Sequence, residues 1–503
     1  MNTSMSVEPS ATLSKLLAGF SRTAFDHDPV VKGLALDSRI VFEGDCFFAL
    51  EGTRAHGMRY LHEAISRGAV AVVTERAPDC TAKVHVPVAE VPSLNELLGK
   101  IAARFFYHPS EHLAVIAVTG TNGKTTVAHL CAQALSLLDL PCGYIGTLGR
   151  GPLNALCPSG MTTPDAITLQ NEFKKLLKAD FRAVALEASS HSLVQSRLAG
   201  TAVDVAIFTG LGHDHLDYHG SLEAYAKAKQ KLFQHPGLGH AVINIDDELG
   251  RRIRDELNPA VQAWECSLLG TSAHRGAKHY AYARAVAYNV TGTRLDILTS
   301  QGSAIIESEL VGEFNAQNLL LALTAMLALN FPLTSAAAVL ARVKPVIGRL
   351  EAFGATGNCP RIYIDYAHSP DSLERVLKVL RAFAPTRVFS VFGCGGSRDR
   401  TKRPLMGSIA QRYSDHVYLT SDNPRDEDPK SIVNEILAGF DSVDNVTVIE
   451  DRVHAITTAL AAASATDIVL IAGKGHETDQ IIGTSTVPMS DQTIVRRWLE
   501  AQG

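Results

Sequence analysis

The segment AVTGTNGKTTV passes from an apolar, strand-like run through a glycine-rich stretch into a helical pattern. In such a unit, backbone N–H groups and the positive end of the helix dipole converge on a phosphate. Gly120 and Gly123 allow the backbone to approach the phosphates closely. Lys124 can reach the β and γ oxygens, and the Thr125 hydroxyl can ligate Mg²⁺. Because Val118 stands where the general phosphate-loop pattern has a glycine, the segment predicts a variant nucleotide-binding loop.

Further polar motifs directly follow apolar, strand-like runs along the chain. They are EASSH, DYAHSPD, GCGGSRD, SDNPR and GKGHE. Ligands of open α/β sheets bind at the carboxyl ends of the strands. We therefore expect these motifs to line the ligand sites.

The elements that must position these motifs change character twice. Up to about residue 107 there are short strand-like pieces and a helix, and His108-Pro109 marks a boundary. From 112 to about 344, strands alternate with helices, which indicates a mostly parallel sheet, with an antiparallel insert at 270–312. After Pro345 the alternation restarts. We predict an α/β protein of three domains, at residues 1–108, 109–344 and 345–503.

Composition narrows the partners and the compartment. Charged residues make up 20% of the chain and the net charge is −5, which argues against nucleic acid as the main partner. The eight cysteines form no CxxC pair, as is typical of free thiols in a reducing compartment. The N-terminus lacks the features of a secretion signal. Without such a signal we expect a cytoplasmic protein. The longest apolar run, 319–329, is shorter than the roughly 20 residues that span a bilayer, so it predicts a buried helix.

Ten motifs between residues 120 and 477, together with LDSR and GDCFFAL within 36–50, run in order over nearly the whole chain and resemble those of the Mur ligases of peptidoglycan synthesis. The set most resembles the members that add meso-2,6-diaminopimelate. The motifs are GTNGKTT (120–126), TTPD (162–165), EASSHSL (187–193), DHLDYHG (214–220), GRLE (348–351), DYAHSPDSL (365–373), GCGGSRD (393–399), KRPLMG (402–407), DNPR (422–425) and GKGHE (473–477).

The resemblance implies a small N-terminal α/β domain that binds a UDP-sugar, a central domain like the phosphate-loop ATPases, and a C-terminal Rossmann-like domain that binds the amino acid. It implies ATP-dependent amide synthesis on UDP-N-acetylmuramoyl-L-alanyl-D-glutamate (the UDP-dipeptide), with ATP and Mg²⁺ as cofactors. The γ-carboxylate of D-glutamate would form an acyl phosphate, which the amine of meso-diaminopimelate attacks. A carboxylate is a poor electrophile near neutral pH, so phosphorylation is needed to supply a leaving group. Negative charge then builds up on the phosphoryl oxygens, so the site requires cations. We expect a monomer without nucleic-acid or membrane partners.

The resemblance also assigns roles to individual residues. The catalytic residues are Lys124, Lys229, His215 and Arg349. ATP is assigned to Gly120, Thr121, Asn122, Gly123, Lys124, Thr125, Thr126, Asn318, Arg349 and Asp365. The UDP-dipeptide is assigned to Ser38, Thr162, Thr163, Ser189, Gln195 and Arg197. Diaminopimelate is assigned to Arg398, Asp422, Asn423, Pro424, Arg425, Gly473 and Glu477. The metal is assigned to Thr125, Glu187, His215 and Lys229, the last as a CO₂-derived carbamate (N6-carboxylysine).

Simpler interpretations exist for several of these positions. Lysines 227, 229 and 231 on one helix usually form a solvated face. The motif DHLDYHG could be a polar surface turn or a transition-metal site. Serines and threonines at strand ends are commonly helix caps, and Asp422-Asn423-Pro424 has the composition of an ordinary turn.

Two further residues and one segment stay without a clear role. His368 is either structural or a phosphate contact, and Cys394 is predicted to be a buried thiol. The family usually reads FTNL and a polar pair before DHLD, whereas this chain has Gly210, Gly212 and His213 there. The contacts of the missing asparagine are therefore in question.

The last residue of DNPR bears on the choice of amino acid. Family members that add L-lysine carry another residue there. A planar guanidinium at Arg425 can bind the distal carboxylate of diaminopimelate bidentately, and L-lysine has no such carboxylate. The rival interpretations are the L-lysine-adding ligase of the family, a folylpolyglutamate-type ligase and a nucleotide-binding regulatory protein.

Overall fold

The computed structural model describes residues 8–52, 56–76, 84–212, 214–270, 276–354, 359–383 and 386–502. These residues form three successive α/β units, each around a main sheet of its own, and the predicted α/β class is confirmed. Among the residues singled out above, His213 lies outside the described part of the chain.

The N-terminal unit is built on a four-stranded parallel sheet. Its strands are β1 (Ala11–Thr12), β2 (Val30–Val31), β3 (Gly33–Ala35), β4 (Asp45–Ala49), β5 (Ala71–Thr74) and β6 (Val88–Glu90), and its helices are α1 (Leu13–Leu16), α2 (Leu61–Ser66) and α3 (Leu94–Phe105). Strands β3 to β6 pair in sequence order, and β1 and β2 form a separate antiparallel pair. The core of this unit also takes in Ala166 and Ile167 of the next unit, so the two units pack together.

The central unit is a ten-stranded sheet. Its strands are β7 (Ala114–Thr119), β8 (Cys142–Gly146), β9 (Gly149–Gly151), β10 (Ala183–Glu187), β11 (Val205–Phe208), β12 (His240–Asn244), β13 (Gln262–Ser267), β14 (Tyr280–Asn289), β15 (Gly292–Thr299) and β16 (Gly302–Ser308). Its helices are α4 (Lys124–Leu137), α5 (Ala166–Lys178), α6 (Ser190–Val194), α7 (Leu216–His219), α8 (Leu222–Gln230), α9 (Glu248–Asp255), α10 (Glu313–Ala328) and α11 (Leu333–Leu340).

The strand order of this sheet is β16-β15-β14-β13-β12-β11-β7-β10-β8-β9. The strands from β14 to β8 are parallel, and helices cover both faces, so β7, β10 and β11 are nearly continuous apolar runs. The predicted antiparallel insert is confirmed as β14–β16, which extends the same sheet. The predicted buried helix is α10, whose leucines are all buried. No helix among the described residues is long and apolar enough to cross a membrane.

The C-terminal unit is a second, six-stranded sheet with the order β17-β18-β22-β19-β20-β21, parallel except at β17. Its strands are β17 (Glu351–Phe353), β18 (Arg361–Asp365), β19 (Val388–Phe392), β20 (His416–Leu419), β21 (Val446–Val448) and β22 (Ile468–Ala472), with the hairpin β23 (Asp479–Ile482) and β24 (Ser485–Pro488). Its helices are α12 (Pro370–Phe383), α13 (Lys402–Tyr413), α14 (Pro429–Leu437), α15 (Arg452–Ala462) and α16 (Asp491–Ala501). The motifs DYAHSPD, GCGGSRD, SDNPR and GKGHE follow the carboxyl ends of β18, β19, β20 and β22, at one edge of the sheet.

Candidate active site

The glycine-rich loop joins β7 to α4, in the strand, loop and helix order that the sequence indicates. Gly120 has φ +148° and Gly123 has φ +87°, both in the region that favours glycine. A Cβ atom at Gly120 would lie 1.8 Å from Thr209 Oγ1. Thr209 Oγ1 in turn donates to the carbonyl of Asn122 at 2.6 Å. The loop therefore cannot accept a side chain at Gly120 without moving away from β11.

Two lysines converge on the same backbone oxygen of this loop. Lys124 Nζ donates to Gly120 O at 3.0 Å and to Thr121 O at 2.8 Å, and Lys229 Nζ donates to Gly120 O at 2.6 Å. Burial lowers the pKa of both ammonium groups, and the charge of Lys124 lowers the pKa of Lys229 further. Lys229 is 1% exposed, whereas Lys227 and Lys231 face solvent. The solvated-face interpretation therefore fits the two neighbours and not Lys229.

Thr125 and Glu187 bring two hard oxygen donors together beside the loop. Thr125 Oγ1 lies 3.0 Å from Glu187 Oε2, and Glu187 is fully buried at the end of β10. Its other oxygen accepts from Tyr144 OH at 2.5 Å and from Thr147 N at 2.8 Å. Burial, with the adjacent carboxylate, raises the pKa of Tyr144, so the phenol stays a donor. A hydroxyl and a fixed carboxylate fit the oxygen preference of Mg²⁺.

His215 lies in the turn before α7 and lines the main cleft of the protein, which the phosphate loop, Glu187 and Lys229 also line. Its φ is +54°, and Nε2 lies 3.5 Å from Asp214 Oδ2. Its ring packs edge-on against His191 and Tyr225, and Lys229 Nζ lies 4.1 Å from the centre of the Tyr225 ring. Burial lowers the pKa of His215, which favours the neutral imidazole. Among the described residues no three His, Cys, Asp or Glu side chains group as a metal site.

The residues assigned to ATP lie on both sides of the glycine-rich loop. Asn318, Thr126 and Asp365 line a second cavity that shares Asn122, Gly123 and Arg349 with the main cleft. Burial raises the pKa of Asp365 to about 6, and its Oδ2 accepts from Leu350 N at 2.7 Å. Arg349, from the C-terminal unit, donates from Nη2 to Thr125 Oγ1 at 3.0 Å. This second cavity is therefore lined by residues of two units.

The residues assigned to the UDP-dipeptide divide into two groups. Thr162, Thr163, Ser189 and Arg197 line the main cleft. Thr163 Oγ1 donates to the carbonyl of Glu187 at 2.6 Å, and Arg197 Nη1 donates to the carbonyl of Thr163 at 2.5 Å.

The other two residues assigned to the UDP-dipeptide, Gln195 and Ser38, do not line the main cleft. Gln195 accepts from Arg197 at 2.7 Å and does not line the cleft. Ser38 also lies outside the cleft, in a 3₁₀ turn of the N-terminal unit, where its Oγ donates to Glu63. Ser189 also caps α6, as the simpler interpretation expects.

The residues assigned to diaminopimelate come together at the ends of β19, β20 and β22. Asn423 Nδ2 donates to Glu477 Oε2 at 2.8 Å, and Arg425 Nη1 donates to Gly396 O at 2.8 Å. A Cβ atom at Gly395 would lie 2.9 Å from Arg425 Nη1 and 3.8 Å from the Arg398 side chain, so both guanidinium-bearing chains flank this glycine.

Two further members of this pocket meet at its floor, where Gly473 has φ +111°. A Cβ there would lie 2.6 Å from Asp422 Oδ2. A Cβ at Gly396 would lie even closer to its neighbour, 1.8 Å from the carbonyl oxygen of Pro424. Asp422-Asn423-Pro424 is therefore more than an exposed turn, because Asp422 and Asn423 are buried against these loops.

Sequence reasoning missed residues that sit inside its own motifs. Tyr366 of DYAHSPD lies between the two sites, with Arg349 over its ring at 4.7 Å and the His476 ring at 5.1 Å. Burial raises the pKa of Tyr366 to about 12. Lys474 of GKGHE is fully buried beside Glu477. Both carried a signal, since each is a large or charged residue within two positions of the end of a buried strand.

The two residues left open now have defined surroundings. His368 lines the main cleft, and its Nδ1 donates to the carbonyl of Tyr366 at 2.7 Å. Cys394 is buried, with Sγ 3.7 Å from Met406 Sδ, and burial raises the pKa of its thiol to about 12. The thiol is therefore not an activated nucleophile.

The glycines of the unusual segment 210–212 contact the phosphate loop. Gly210 O accepts from Thr121 N at 2.8 Å, and Gly212 N donates to Thr121 Oγ1 at 2.8 Å. Gly210 has φ +146°. The segment therefore supports the loop through its backbone.

A phosphate loop, a buried oxygen-donor pair and a pocket with two arginines, on a three-part α/β fold, define an ATP-dependent ligase that activates a carboxylate. The chain belongs to the Mur ligase family. Residues 30–106 match the family's catalytic domain, residues 118–326 the Mur ligase middle domain, and residues 348–475 the Mur ligase glutamate ligase domain.

Relatives are similar over nearly the whole chain. A protein of Pseudomonas putida named UDP-N-acetylmuramoyl-L-alanyl-D-glutamate--2,6-diaminopimelate ligase is 42% identical over 97% of this chain and 98% of its own. A protein of Pseudomonas aeruginosa with the same name is 43% identical over 95% of this chain and 96% of its own. A solved structure of a ligase with that name is 36% identical, with a TM-score of 0.70, over 98% of this chain and 99% of that chain.

Proposed function

We propose that this protein is the ATP-dependent ligase that joins meso-2,6-diaminopimelate to the D-glutamate of UDP-N-acetylmuramoyl-L-alanyl-D-glutamate. Relatives named for this reaction match nearly the full chain. The observation that carries the proposal is one cleft lined by the phosphate loop, by Thr162, Thr163 and Arg197, and by Arg349 and Tyr366 of the C-terminal unit. A ligase must bring three substrates to one point, and this cleft offers surfaces from two units around the phosphate loop.

The reaction proceeds in two transfers. The D-glutamate carboxylate attacks the γ-phosphorus of ATP, the bond to ADP breaks, and an acyl phosphate forms. The amine then attacks the acyl carbon, loses a proton, and phosphate leaves. Negative charge builds first on phosphoryl oxygens and then on a tetrahedral oxyanion, so the site needs fixed cations. Lys124 and Arg349 supply them from two units.

Thr125 and Glu187 would hold Mg²⁺, which neutralises charge on the β and γ phosphates when bound. Thr125 is the first residue after the loop lysine, so its hydroxyl lies at the helix N-terminus. Tyr144 and Thr147 fix the carboxylate of Glu187 and thereby limit its rotation. Arg349 shares the Thr125 hydroxyl, which links this position to the C-terminal unit.

We assign Lys229 as the carbamylated lysine. Its Nζ is buried 2.6 Å from Gly120 O, and its pKa lies well below the ordinary range because of burial and the nearby Lys124. A neutral amine is the form that reacts with CO₂, and the product carries a negative charge in place of a positive one. With His215 it would supply a second set of metal ligands.

The C-terminal pocket would bind the amino acid. Arg398 and Arg425 flank Gly395 and suit the distal carboxylate, and Glu477 suits the neighbouring ammonium group. We further propose that the enzyme acts as a monomer. We also propose that it works in the cytoplasm, in keeping with the described cysteines, all of which are free thiols.

The test is ADP and phosphate release by the purified protein with Mg²⁺, bicarbonate, the UDP-dipeptide and a panel of amino acids. We expect release only when the UDP-dipeptide and meso-diaminopimelate are both present, with a tripeptide product by mass. Preference for L-lysine would indicate the other ligase of the family, and release with a folate substrate would indicate a folylpolyglutamate-type ligase. Release that is independent of both acceptor and amino acid would indicate a regulatory ATPase.

A further inference from the structure

Lys474 is a fully buried cation beside the proposed amino-acid pocket, in the loop after β22. Its Nζ lies 3.0 Å from Asn423 Oδ1, 2.9 Å from Glu477 Oε2 and 2.6 Å from Asp479 O. An ammonium group has three N–H donors, and here the protein accepts all three. Lys474 therefore has no donor left to hydrogen-bond a ligand, so it can affect a ligand only through its partners or through its charge.

The partners of Lys474 are held in one orientation. Asn423 Oδ1 also accepts from the backbone N–H of Ile481 at 3.0 Å, and its Nδ2 donates to Glu477 Oε2 at 2.8 Å. Because a backbone N–H and an ammonium group can only donate, the oxygen of the Asn423 amide must face them. Glu477 Oε2 thus receives two donors. No hydrogen bond within the described chain reaches Glu477 Oε1, so one carboxylate oxygen remains for a ligand.

Lys474 also determines the charge of the pocket. Arg398, Arg425 and Lys474 are positive, whereas Asp422 and Glu477 are negative, which leaves one net positive charge. Two further buried arginines have acidic partners of their own: Arg452 pairs with Asp491 at 2.7 Å, and Arg403, which donates to Gly395 O, pairs with Glu427 and Glu435. Without Lys474 the pocket would be neutral.

We propose that Lys474 is a positioning residue that sets amino-acid specificity. Its ammonium group pairs with the carboxylate of Glu477 and holds that carboxylate with Oε1 toward the ligand. Because this pair is neutral, Arg398, Arg425 and Asp422 leave the pocket with one net positive charge. The inference rests on the proposed function and extends it. The distal end of meso-diaminopimelate carries an ammonium and a carboxylate and is neutral, whereas the distal end of L-lysine carries an ammonium alone. A positive pocket therefore rejects L-lysine by like-charge repulsion, in addition to the missing carboxylate contact.

The test compares four proteins: wild type, Lys474→Met, Glu477→Gln and the double variant Lys474→Met/Glu477→Gln. Lys430→Met, at an exposed lysine of α14, is the matched control and should behave as wild type. For each protein we would measure kcat/KM for meso-diaminopimelate and for L-lysine, and the KM of ATP and of the UDP-dipeptide. Thermal unfolding reports whether each variant is folded.

In Lys474→Met, we expect the KM of meso-diaminopimelate to rise by about tenfold or more and the preference over L-lysine to fall by a similar factor, the size that one nearby charge can produce. The KM of ATP and of the UDP-dipeptide should stay within about twofold, because those sites lie elsewhere. In the double variant both members of the pair are gone and the pocket is positive again. Its preference for meso-diaminopimelate should therefore return toward that of wild type, although its KM stays high.

If Lys474→Met does not fold, Glu477→Gln and the double variant decide the question, because they differ only in the charge at position 474. The ratio of kcat/KM for L-lysine to kcat/KM for meso-diaminopimelate should be about tenfold lower in Glu477→Gln than in the double variant. Equal preferences in that pair, or a single variant that raises all KM values alike, would overturn the inference. A wild-type protein that makes no product with meso-diaminopimelate would instead overturn the proposed function.

Discussion

Lys227 and Lys229 lie on helix α8 and Lys231 directly follows it, and of these three lysines only Lys229 turns its side chain inward. Residues 225, 226, 228, 229 and 230 form the buried face of this helix, and the two other lysines lie off that face. The inward position puts an amine beside Lys124 and against the ring of Tyr225. A buried ammonium next to another cation is costly, and a carbamate removes that cost by reversing the charge.

We expect Lys229→Ala to lower ligase turnover by roughly 10–100-fold, the usual effect of removing a metal-site group. Lys227→Ala, on the same helix, and Lys231→Ala, at the residue directly after it, are the matched controls and should retain activity. The wild-type enzyme should lose activity when CO₂ is removed and regain it with bicarbonate. Equal losses in the three alanine variants would refute the assignment of Lys229.

At the scale of elements, the segment between β11 and α7 supports the phosphate loop through main-chain contacts. Gly210 receives the N–H of Thr121, and Leu211 N donates to Asp247 Oδ2 at 2.7 Å. The φ of +146° at Gly210 is one that residues with a side chain rarely adopt. The asparagine that other family members carry would need a different backbone path at this position.

Gly210→Asn should therefore destabilise the protein by about 1–3 kcal/mol, the cost of a strained backbone conformation, and lower turnover by disturbing Thr121. Gly237→Asn is the control, since Gly237 has φ +77° and no neighbour within 4 Å of an added Cβ. Asparagine tolerates that left-handed conformation. Chemical denaturation and steady-state kinetics measure the two effects, and an unchanged Gly210→Asn protein would contradict this account.

At the scale of the whole molecule, the cleft is assembled from separate units. Arg349 of the C-terminal unit donates a hydrogen bond to Thr125 of the central unit, and its guanidinium group packs over the ring of Tyr366. The N-terminal unit packs on α5 and carries Ser38 outside the cleft. A nucleotide-sugar held at Ser38 and in the cleft would touch two units, and ATP would touch the central and C-terminal units.

We therefore expect the units to close on their ligands, because water must be excluded before an acyl phosphate forms. Small-angle scattering should show a smaller radius of gyration with a non-hydrolysable ATP analogue and the UDP-dipeptide than without them. Arg349→Ala should weaken the change. An identical radius of gyration in both states would rule out closure.

Much of the fold could be predicted from the sequence because local patterns decide it. Strands β7, β10, β11 and β22 are apolar runs that are buried on both faces, and the glycine-rich loop follows from residue types that only a few backbone conformations accept. The antiparallel insert and the buried helix α10 were predictable for the same reason. Resemblance to a known family supplied the site residues, which no local pattern distinguishes from caps, turns or surface lysines.

Tertiary structure alone decided which side chains meet. Positions 229 and 474 are lysines in sequence, and only packing makes each a buried amine that has a hydrogen-bond partner more than fifty residues away. The hydrogen bond from Arg349 to Thr125 spans 224 residues and two units, so no periodicity encodes it. Sequence determines which segments become strands, helices and tight loops, because those choices depend on near neighbours. The charge state and orientation of a functional group depend on burial and on distant partners, which exist only once the chain has folded.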